Sequence, residues 1–319
     1  MADNRHGLQS AGRSILGESQ VILDVKGMIT RIAPSHSTVL ICGESGTGKE
    51  LVAEAIYKQS SRASAPFVVI DCTALQESLL ESELFGHERG AYTSATNLKY
   101  GLLEAANSGV VLLDEIGELS LAIQAKLLRA IETGTFRRVG SNRDIHVDVR
   151  VLAATNRDLE ERVKIGQFRE DLFYRLNVVS IHVPPLRARV QDIPHLVRHF
   201  VVDCCKDRPN VLQVSDQAMD LLMHYTWPGN VRELRNTIER AVLLCRGDEI
   251  AIEDLPGCLG THSHHVGNIT QPDLTLKEAE QRHIIRVLRH VGGHRAQAAE
   301  VLGISPRQLY RKIRQHHIK

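Results

Sequence analysis

An apolar run, Thr38-Val39-Leu40-Ile41-Cys42, passes directly into Gly43-Glu44-Ser45-Gly46-Thr47-Gly48-Lys49-Glu50 and then into an amphipathic stretch. A strand, a glycine-rich loop and a helix in that order leave few folds open. The loop must close a strand inside a sheet and open a helix in the same few residues. Glycines let successive backbone N–H groups converge on phosphate oxygens, the helix N-terminus adds partial positive charge, and Lys49 neutralises terminal phosphates. A glycine-rich turn by itself can be only a turn; the strand before it and the helix after it argue for a phosphate cradle. The residue after the lysine is usually Ser or Thr, whose hydroxyl meets Mg²⁺. Here it is Glu50, an irregular ending.

The chain has 319 residues, enough for two or three domains of about 100–200 residues each. Residues 1–14 are polar and read as a flexible tail. From 15 to 186, short β-branched apolar runs alternate with longer helical periods: Val39–Cys42, Phe67–Ile70, Val110–Leu113, Val149–Ala154 and Val178–Val183. Their near-continuous apolarity predicts parallel strands buried on both faces, hence an α/β domain closed by Pro184-Pro185. Residues 187–255 predict a small helical domain, with helices at Val190–Cys205, Ser215–Tyr225 and Val231–Cys245 and with Ser215 and Asp216 as candidate caps. Residues 256–273, rich in Gly, His, Ser and Thr, read as a linker, and 274–319 as a basic helical domain.

Charge supports that last division. From Thr275 to Lys319 ten Lys or Arg face three Glu, a net of +7, so the rest carries −6 of a total of +1. A basic tail on an acidic body suggests a polyanionic partner. The six cysteines (Cys42, Cys72, Cys204, Cys205, Cys245 and Cys258) show no C-x-x-C spacing and fit a reducing compartment. No apolar stretch approaches a membrane span and the first residues lack a signal-peptide core, so a cytoplasmic protein is expected. His262, His264 and His265 lack a fourth ligand, and the linker reading is preferred to a metal site.

Val110-Val111-Leu112-Leu113-Asp114-Glu115 is a buried strand ending in two acids. In a nucleotide-binding sheet, Asp114 would hold Mg²⁺ and Glu115 would orient or deprotonate the attacking water. A helix cap is the plain alternative, and the phosphate loop favours the catalytic one. Val151–Asn156 is a third strand ending in small polar residues, which either sense a γ-phosphate and help place water or simply turn the chain at the strand end. Arg169 and Arg175 lie six apart, off a common helical face; either they form a salt-bridged surface or one guanidinium offsets charge on a transferring phosphoryl group. Trp227-Pro-Gly-Asn-Val-Arg232 sets Pro and Gly before a helix with Arg232 in its first turn.

In the basic tail, Leu276–His290 predicts one helix, broken at Gly292-Gly293. Arg295–Leu302 predicts a second, Gly303-Ile304 a tight turn, and Ser305-Pro306 the cap and first position of a third helix, Arg307–Gln315. Helix, glycine turn, basic helix is the helix-turn-helix plan, whose second helix enters the major groove. Arg307 and Gln308 are candidates for base edges. Arg311, Lys312 and Arg314 are placed equally well for phosphates, and Arg295 and Ser305 complete the DNA-binding set.

These motifs together resemble a bacterial enhancer-binding protein, a sigma-54-dependent activator of the AAA+ class. The resemblance extends from about Ile15 to the C-terminus. It rests on GESGTGKE (43–50), ESELFGHERGAYTSA (81–95), VVLLDEIGE (110–118), LLRAIETGTFRRVG (127–140), AATNRDL (153–159), FREDLFYRL (168–176) and WPGNVREL (227–234). AAEVLGISPRQLYRKI (298–313) resembles the Fis-type DNA-binding domain, which binds paired half-sites as a dimer. The resemblance implies an AAA+ ATPase with a helical lid. Glu50 is the family's usual residue after the lysine. Gly43 to Glu50, Asp114 and Arg232 would bind ATP with Mg²⁺. Asn156 would belong to the first sensor and Arg232 to the second, and Arg169 and Arg175 would reach a neighbouring subunit's ATP in a ring, typically a hexamer. Partners implied are sigma-54 RNA polymerase, enhancer DNA and further copies of the chain.

Two departures stand out. The family's sigma-contact loop usually reads Gly-Ala-Phe-Thr-Gly-Ala; here it is Gly90-Ala91-Tyr92-Thr93-Ser94-Ala95. Tyr92 keeps an aromatic tip, while Ser94 in place of glycine costs roughly 1–2 kcal/mol if φ is positive there. Asp71 stands where the family commonly has the Asn thought to restrain the catalytic glutamate. An ionised Asp cannot donate a hydrogen bond to Glu115, so looser restraint of basal ATP turnover is expected. The expected activity is an ATP-driven activator that opens sigma-54 polymerase complexes. The alternatives are a regulator of ordinary promoters using nucleotide only for assembly, and a general AAA+ unfoldase, against which the 81–95 insertion and the helix-turn-helix both speak. Ahead of Ile15 there is no room for a receiver or ligand-sensing domain, so control is expected from a trans-acting partner, from expression level or from a mixed ring.

Overall fold

Five short strands, β1 (Val39–Cys42), β2 (Phe67–Asp71), β3 (Val110–Asp114), β4 (Arg150–Thr155) and β5 (Val179–His182), pair in parallel in the order β2-β3-β4-β1-β5. This is a computed structural model; it describes residues 14–73, 76–92, 97–205, 212–257, 259, 280–281, 283–285, 287–288 and 294–316. The chain divides into two compact units, residues 1–263 and 264–319, and each is described by itself.

The sheet is the α/β core expected from the apolar runs. Every residue of β4 and the first four of β3 are buried, because helices cover both faces of these central strands. Two strand starts differ by one residue each, β5 beginning at Val179 and leaving Val178 outside. β4 begins at Arg150 and leaves Val149 outside. The guanidinium of Arg150 donates to the carbonyl oxygens of Ala33 (2.6 Å) and Ile32 (3.0 Å), at the C-terminal end of the helix Gln20–Ile32, where carbonyls lack a partner within the helix. Because the strands are parallel, the turns after β1, β3 and β4 emerge at one edge, and Gly43, Glu115 and Asn156 meet there.

Two small antiparallel pairs, Gly86–His87 with Lys99–Tyr100 and Thr135–Arg137 with Asp144–His146, stand apart from the main sheet. A bridge from His87 to Val139 joins them. Strands of two or three residues are too short to produce a legible alternation, and the sequence gives no sign of them.

The helices Ile193–Cys204, Asp216–His224 and Asn230–Leu244 form a lid around the buried side chains of Val197, Leu222, Trp227, Leu234 and Ile238. The first begins three residues later than the apolar period suggests. Pro194 is tolerated only in a first turn, so Val190–Asp192 is left as a separate 3₁₀ turn. Ser215 caps the second, accepting from the Ala218 N–H. The lid is not wholly helical: Gln213–Val214 pairs in parallel with Glu249–Ile250.

The second unit packs Ile284 and Val287 on Ala298, Ala299, Leu309 and Ile313. Its helices Arg295–Val301 and Pro306–Gln315 flank Gly303, whose φ of +66° makes the tight turn. Most of the expected helix 276–290, Gly292-Gly293, the His262–His265 group and Cys258 lie outside the described residues. Among the described residues no helix is long and apolar enough to cross a membrane.

Trp227, the chain's single tryptophan, is fully buried with φ +51°, and its indole N–H donates to the Leu222 carbonyl at 2.8 Å. A bulky residue holds that strained conformation only because its ring is locked in the lid core. Trp227→Ala is therefore expected to cost about 3–5 kcal/mol. Urea unfolding followed by circular dichroism measures it, and an unshifted midpoint would contradict this account of the lid.

Candidate active site and nucleic-acid interface

A cavity of about 600 Å³ opens between the sheet edge and the lid. Its polar end is the loop 45–50 with Asp114, Glu115 and Arg232, and its apolar end includes Ile15, Leu16, Val183 and Phe200. Gly46 and Gly48 have φ of +77° and +102°, the left-handed conformations that turn backbone N–H groups inward. Glu50 lies exposed in the first turn of the helix Lys49–Lys58, at the cavity wall.

Lys49 is buried at the loop's end. Its ammonium lies 3.0 Å from the Gly43 carbonyl oxygen and 3.1 Å from Glu115 Oε1. The other oxygen of Glu115 accepts from the Asn156 backbone N–H at 2.9 Å. Glu115 sits at φ +53°, outside the strand, and its own N–H donates to Asp114 Oδ1 at 3.1 Å. Burial first, and then the neighbouring Glu115 charge, push the Asp114 carboxyl above its ordinary value, with Lys49 pulling the other way. Asp71 is turned to Thr73, accepting from its N–H (2.8 Å) and hydroxyl (2.6 Å). Glu115 is thus held by Lys49 and Asn156.

The lid reaches the loop through side chains that motif reading passed over. Arg187 makes two hydrogen bonds to Glu44, at 2.5 and 2.8 Å. Asn230, fully buried at φ +53°, donates to Ser45 O (3.0 Å) and Glu44 Oε2 (3.2 Å) and accepts from the Leu186 N–H (2.8 Å). The guanidinium of Arg189 donates to Thr47 O at 3.1 Å. Arg232, the expected second sensor, reaches Ser45 Oγ at 2.9 Å. Asn230 lies within the WPGNVREL segment, whereas Arg187 and Arg189 carry no signal that separates them from surface arginines.

Arg169 and Arg175 are absent from the cavity wall. Arg169 caps the helix Glu170–Leu176 and makes two hydrogen bonds to Asp171; Arg175 is in its last turn and donates to Ile131 O at 3.3 Å. In the 90–95 loop, Gly90 has φ +84°, Ala91 lies against Gly140, and Tyr92 stacks edge-on to His87 with ring centroids 5.0 Å apart. Thr93, Ser94 and Ala95 lie outside the described residues. Arg138 ties the loop's stem together, pairing with Glu88 and Glu104 under the Tyr100 ring.

In the helix Pro306–Gln315, Arg307, Arg311 and Arg314 are exposed. Gln308 is engaged in the helix cap: its side-chain oxygen accepts from the Ser305 N–H at 3.1 Å while Ser305 Oγ accepts from the Gln308 N–H at 3.3 Å. Lys312 is paired with Glu280. Arg295 lies over the Tyr310 ring.

Comparison with known proteins matches this geometry along the whole chain. Residues 15–182 match the sigma-54 interaction domain, 187–271 the AAA+ ATPase lid domain, and 275–316 the bacterial regulatory proteins of the Fis family. The chain therefore belongs to the sigma-54-interacting AAA+ ATPases, activators that couple ATP hydrolysis to sigma-54-dependent transcription and bind DNA through a Fis-family domain. Among its relatives is the transcriptional regulatory protein ZraR of Klebsiella oxytoca, 48% identical over 304 residues, covering 94% of this chain and 68% of the relative. Another is the regulatory protein AtoC of Escherichia coli K12, 48% identical, at 95% and 68%. The crystal structure of NtrX from Brucella abortus in complex with ATP superposes with a TM-score of 0.74 at 36% identity, over 96% of this chain and 70% of that one. The matched family speaks for the remodelling ATPase, and not for a regulator that uses nucleotide only to assemble.

The Arg187 hydrogen bond, with Asn230 behind it, pulls the Glu44 carboxyl from 4.5 to about 2. A folded-state value below the unfolded one stabilises the fold fully above pH 4.5 and ceases to do so as pH falls toward 2. Both side chains are about half exposed, so the contribution is at most about 1 kcal/mol. The melting-temperature difference between the parent and Glu44→Gln should be constant from about pH 8 to 5 and shrink on further acidification. A difference that grows in acid would contradict the pairing.

Proposed function

We propose that this chain works as a ring, typically a hexamer, in which each cavity is completed by the neighbouring subunit. What supports this most is where Arg169 and Arg175 sit: they are exposed and away from the wall of their own chain's cavity, which otherwise carries a phosphate cradle and two acids. In the ring they would face the next subunit's γ-phosphate and offset its developing charge, a role worth about 10³–10⁵ in rate.

Within one chain, the loop 43–50 and Lys49 bind the phosphates, Glu115 orients the attacking water, and Asn156 and Arg232 respond to the γ-phosphate. The donor set fits Mg²⁺. Asp114 and Glu115 are hard oxygen donors at the strand end beside the phosphate loop, and Asp114 would hold the ion there. Bound there, Mg²⁺ would neutralise charge on the β- and γ-phosphates. Lys49 contacts Glu115 at 3.1 Å, and a phosphate that competes for Lys49 would free the carboxylate for water.

Loop 90–95 is proposed to carry the resulting motion to sigma-54. The Fis-type unit is proposed to dimerise on enhancer half-sites, in the bacterial cytoplasm at the nucleoid, with a trans-acting protein as a further regulator. Transcription from a sigma-54 promoter with purified components should require hydrolysable ATP. Mixing tests the ring: Lys49→Ala and Arg175→Ala are each expected to be inactive alone and to regain ATPase activity together, since one supplies arginines and the other a working cavity. Absence of rescue would point to a site complete within one chain.

Asp71 gives a separate test. A carboxylate at this strand end adds negative charge beside Glu115 where an amide would donate. Asp71→Asn should lower basal ATP turnover without sigma factor and preserve the stimulated rate. Unchanged basal turnover would remove the argument.

A further inference from the structure

The exposed surface of the helix Pro306–Gln315 carries one aromatic residue beside its arginines. Leu309 and Ile313 point into the core. Arg307, Tyr310, Arg311 and Arg314, at i, i+3, i+4 and i+7, therefore share the opposite face. Tyr310 is 52% exposed at the edge of this face, one turn before the buried Ile313. The ring takes no part in the buried cluster of Ile284, Val287, Ala298, Ala299, Leu309 and Ile313.

Its position is nevertheless fixed. The guanidinium carbon of Arg295, from the preceding helix, lies 5.2 Å from the Tyr310 ring centroid. A cation over one face restrains the ring and leaves its edge and its other face open. Two other polar side chains of the helix are already engaged: the Gln308 side-chain oxygen in the Ser305 cap and Lys312 with Glu280. What this face presents between its arginines is therefore a restrained apolar surface.

The major groove exposes one apolar group on its base edges, the C5 methyl of thymine. We infer that the Tyr310 ring, backed by Arg295, contacts a thymine methyl and sets sequence preference at that position, while the flanking arginines hold phosphates or guanine. The inference rests on this helix being the one that enters the major groove.

The test uses the full chain. Duplexes selected from a random library by the parent and by Tyr310→Ala define the preferred site. Each thymine of the parent's site is then replaced singly by deoxyuridine, which removes only the methyl, and binding is measured by fluorescence anisotropy. One thymine position is expected at which deoxyuridine weakens the parent by about fivefold or more, the lower end of what a single base position contributes. The same replacement should leave Tyr310→Ala unaffected, and Tyr310→Phe should behave as the parent. Identical selected sites and identical deoxyuridine profiles for the parent and Tyr310→Ala would overturn the inference. So would a Tyr310→Phe variant weakened equally on all sequences, since that places the hydroxyl on a phosphate. An Arg307→Ala, Arg311→Ala double variant separates the two levels: if it too binds as the parent does, the helix is not the DNA-facing one.

Discussion

One buried ammonium holds the acidic edge of the sheet together. The parallel strands deliver Asp71, Asp114 and Glu115 to the same edge, where three carboxylates near one another repel, and Lys49 is the cation placed against them. Its 3.1 Å contact with Glu115 draws the carboxylate toward the phosphate loop. The same ammonium also contacts the carbonyl oxygens of Gly43 and Glu44, so the acidic strand end and the phosphate loop are joined through one atom. The strain at Glu115, φ +53°, is maintained by this contact and by the Asn156 N–H, both on elements the sheet fixes.

The lid is fastened to the same loop by groups of a different character. Asn230 is buried and uses both ends of its amide, so its removal takes a partner from the Leu186 N–H and the Ser45 carbonyl at once, while Glu44 keeps Arg187. Arg187 and Glu44 meet at the surface and contribute little energy, though their geometry fixes the orientation of the loop. Arg189 is buried and gives only one hydrogen bond to the loop, at Thr47 O, while its Nε has no protein partner. The loop thus has a rigid attachment at Asn230 and adjustable ones on either side.

How much of this was legible follows from the length scale of each signal. The strands were readable because burial on both faces makes a run continuously apolar. Which residue first enters the ladder was not, and Arg150 displaced Val149 because a helix end 117 residues away offered it carbonyls. Lys49, Asp114 and Glu115 were readable because their chemistry is local to a strand end. Arg187, Arg189 and Asn230 act on the loop across separations of 143, 142 and 186 residues, and nothing in a local pattern reports such a contact. In the basic unit the charges were plain, but not which were already engaged: Gln308 belongs to its own cap and Lys312 to Glu280. Tyr310 was passed over because a tyrosine in a helix reads first as packing.

Gly46 carries a last consequence. A Cβ built at this position would fall 2.3 Å from the carbonyl oxygen of Gly229, so loop and lid turn approach with less than a methyl group between them. Any widening of the loop must displace the turn, and with it the helix that starts at Asn230. Contact of this kind is repulsive and short-ranged, and dissolved ions do not screen it. The surface pair of Arg187 and Glu44 weakens as salt rises, whereas the lid's mechanical response to what occupies the loop should be the same in dilute buffer and in brine.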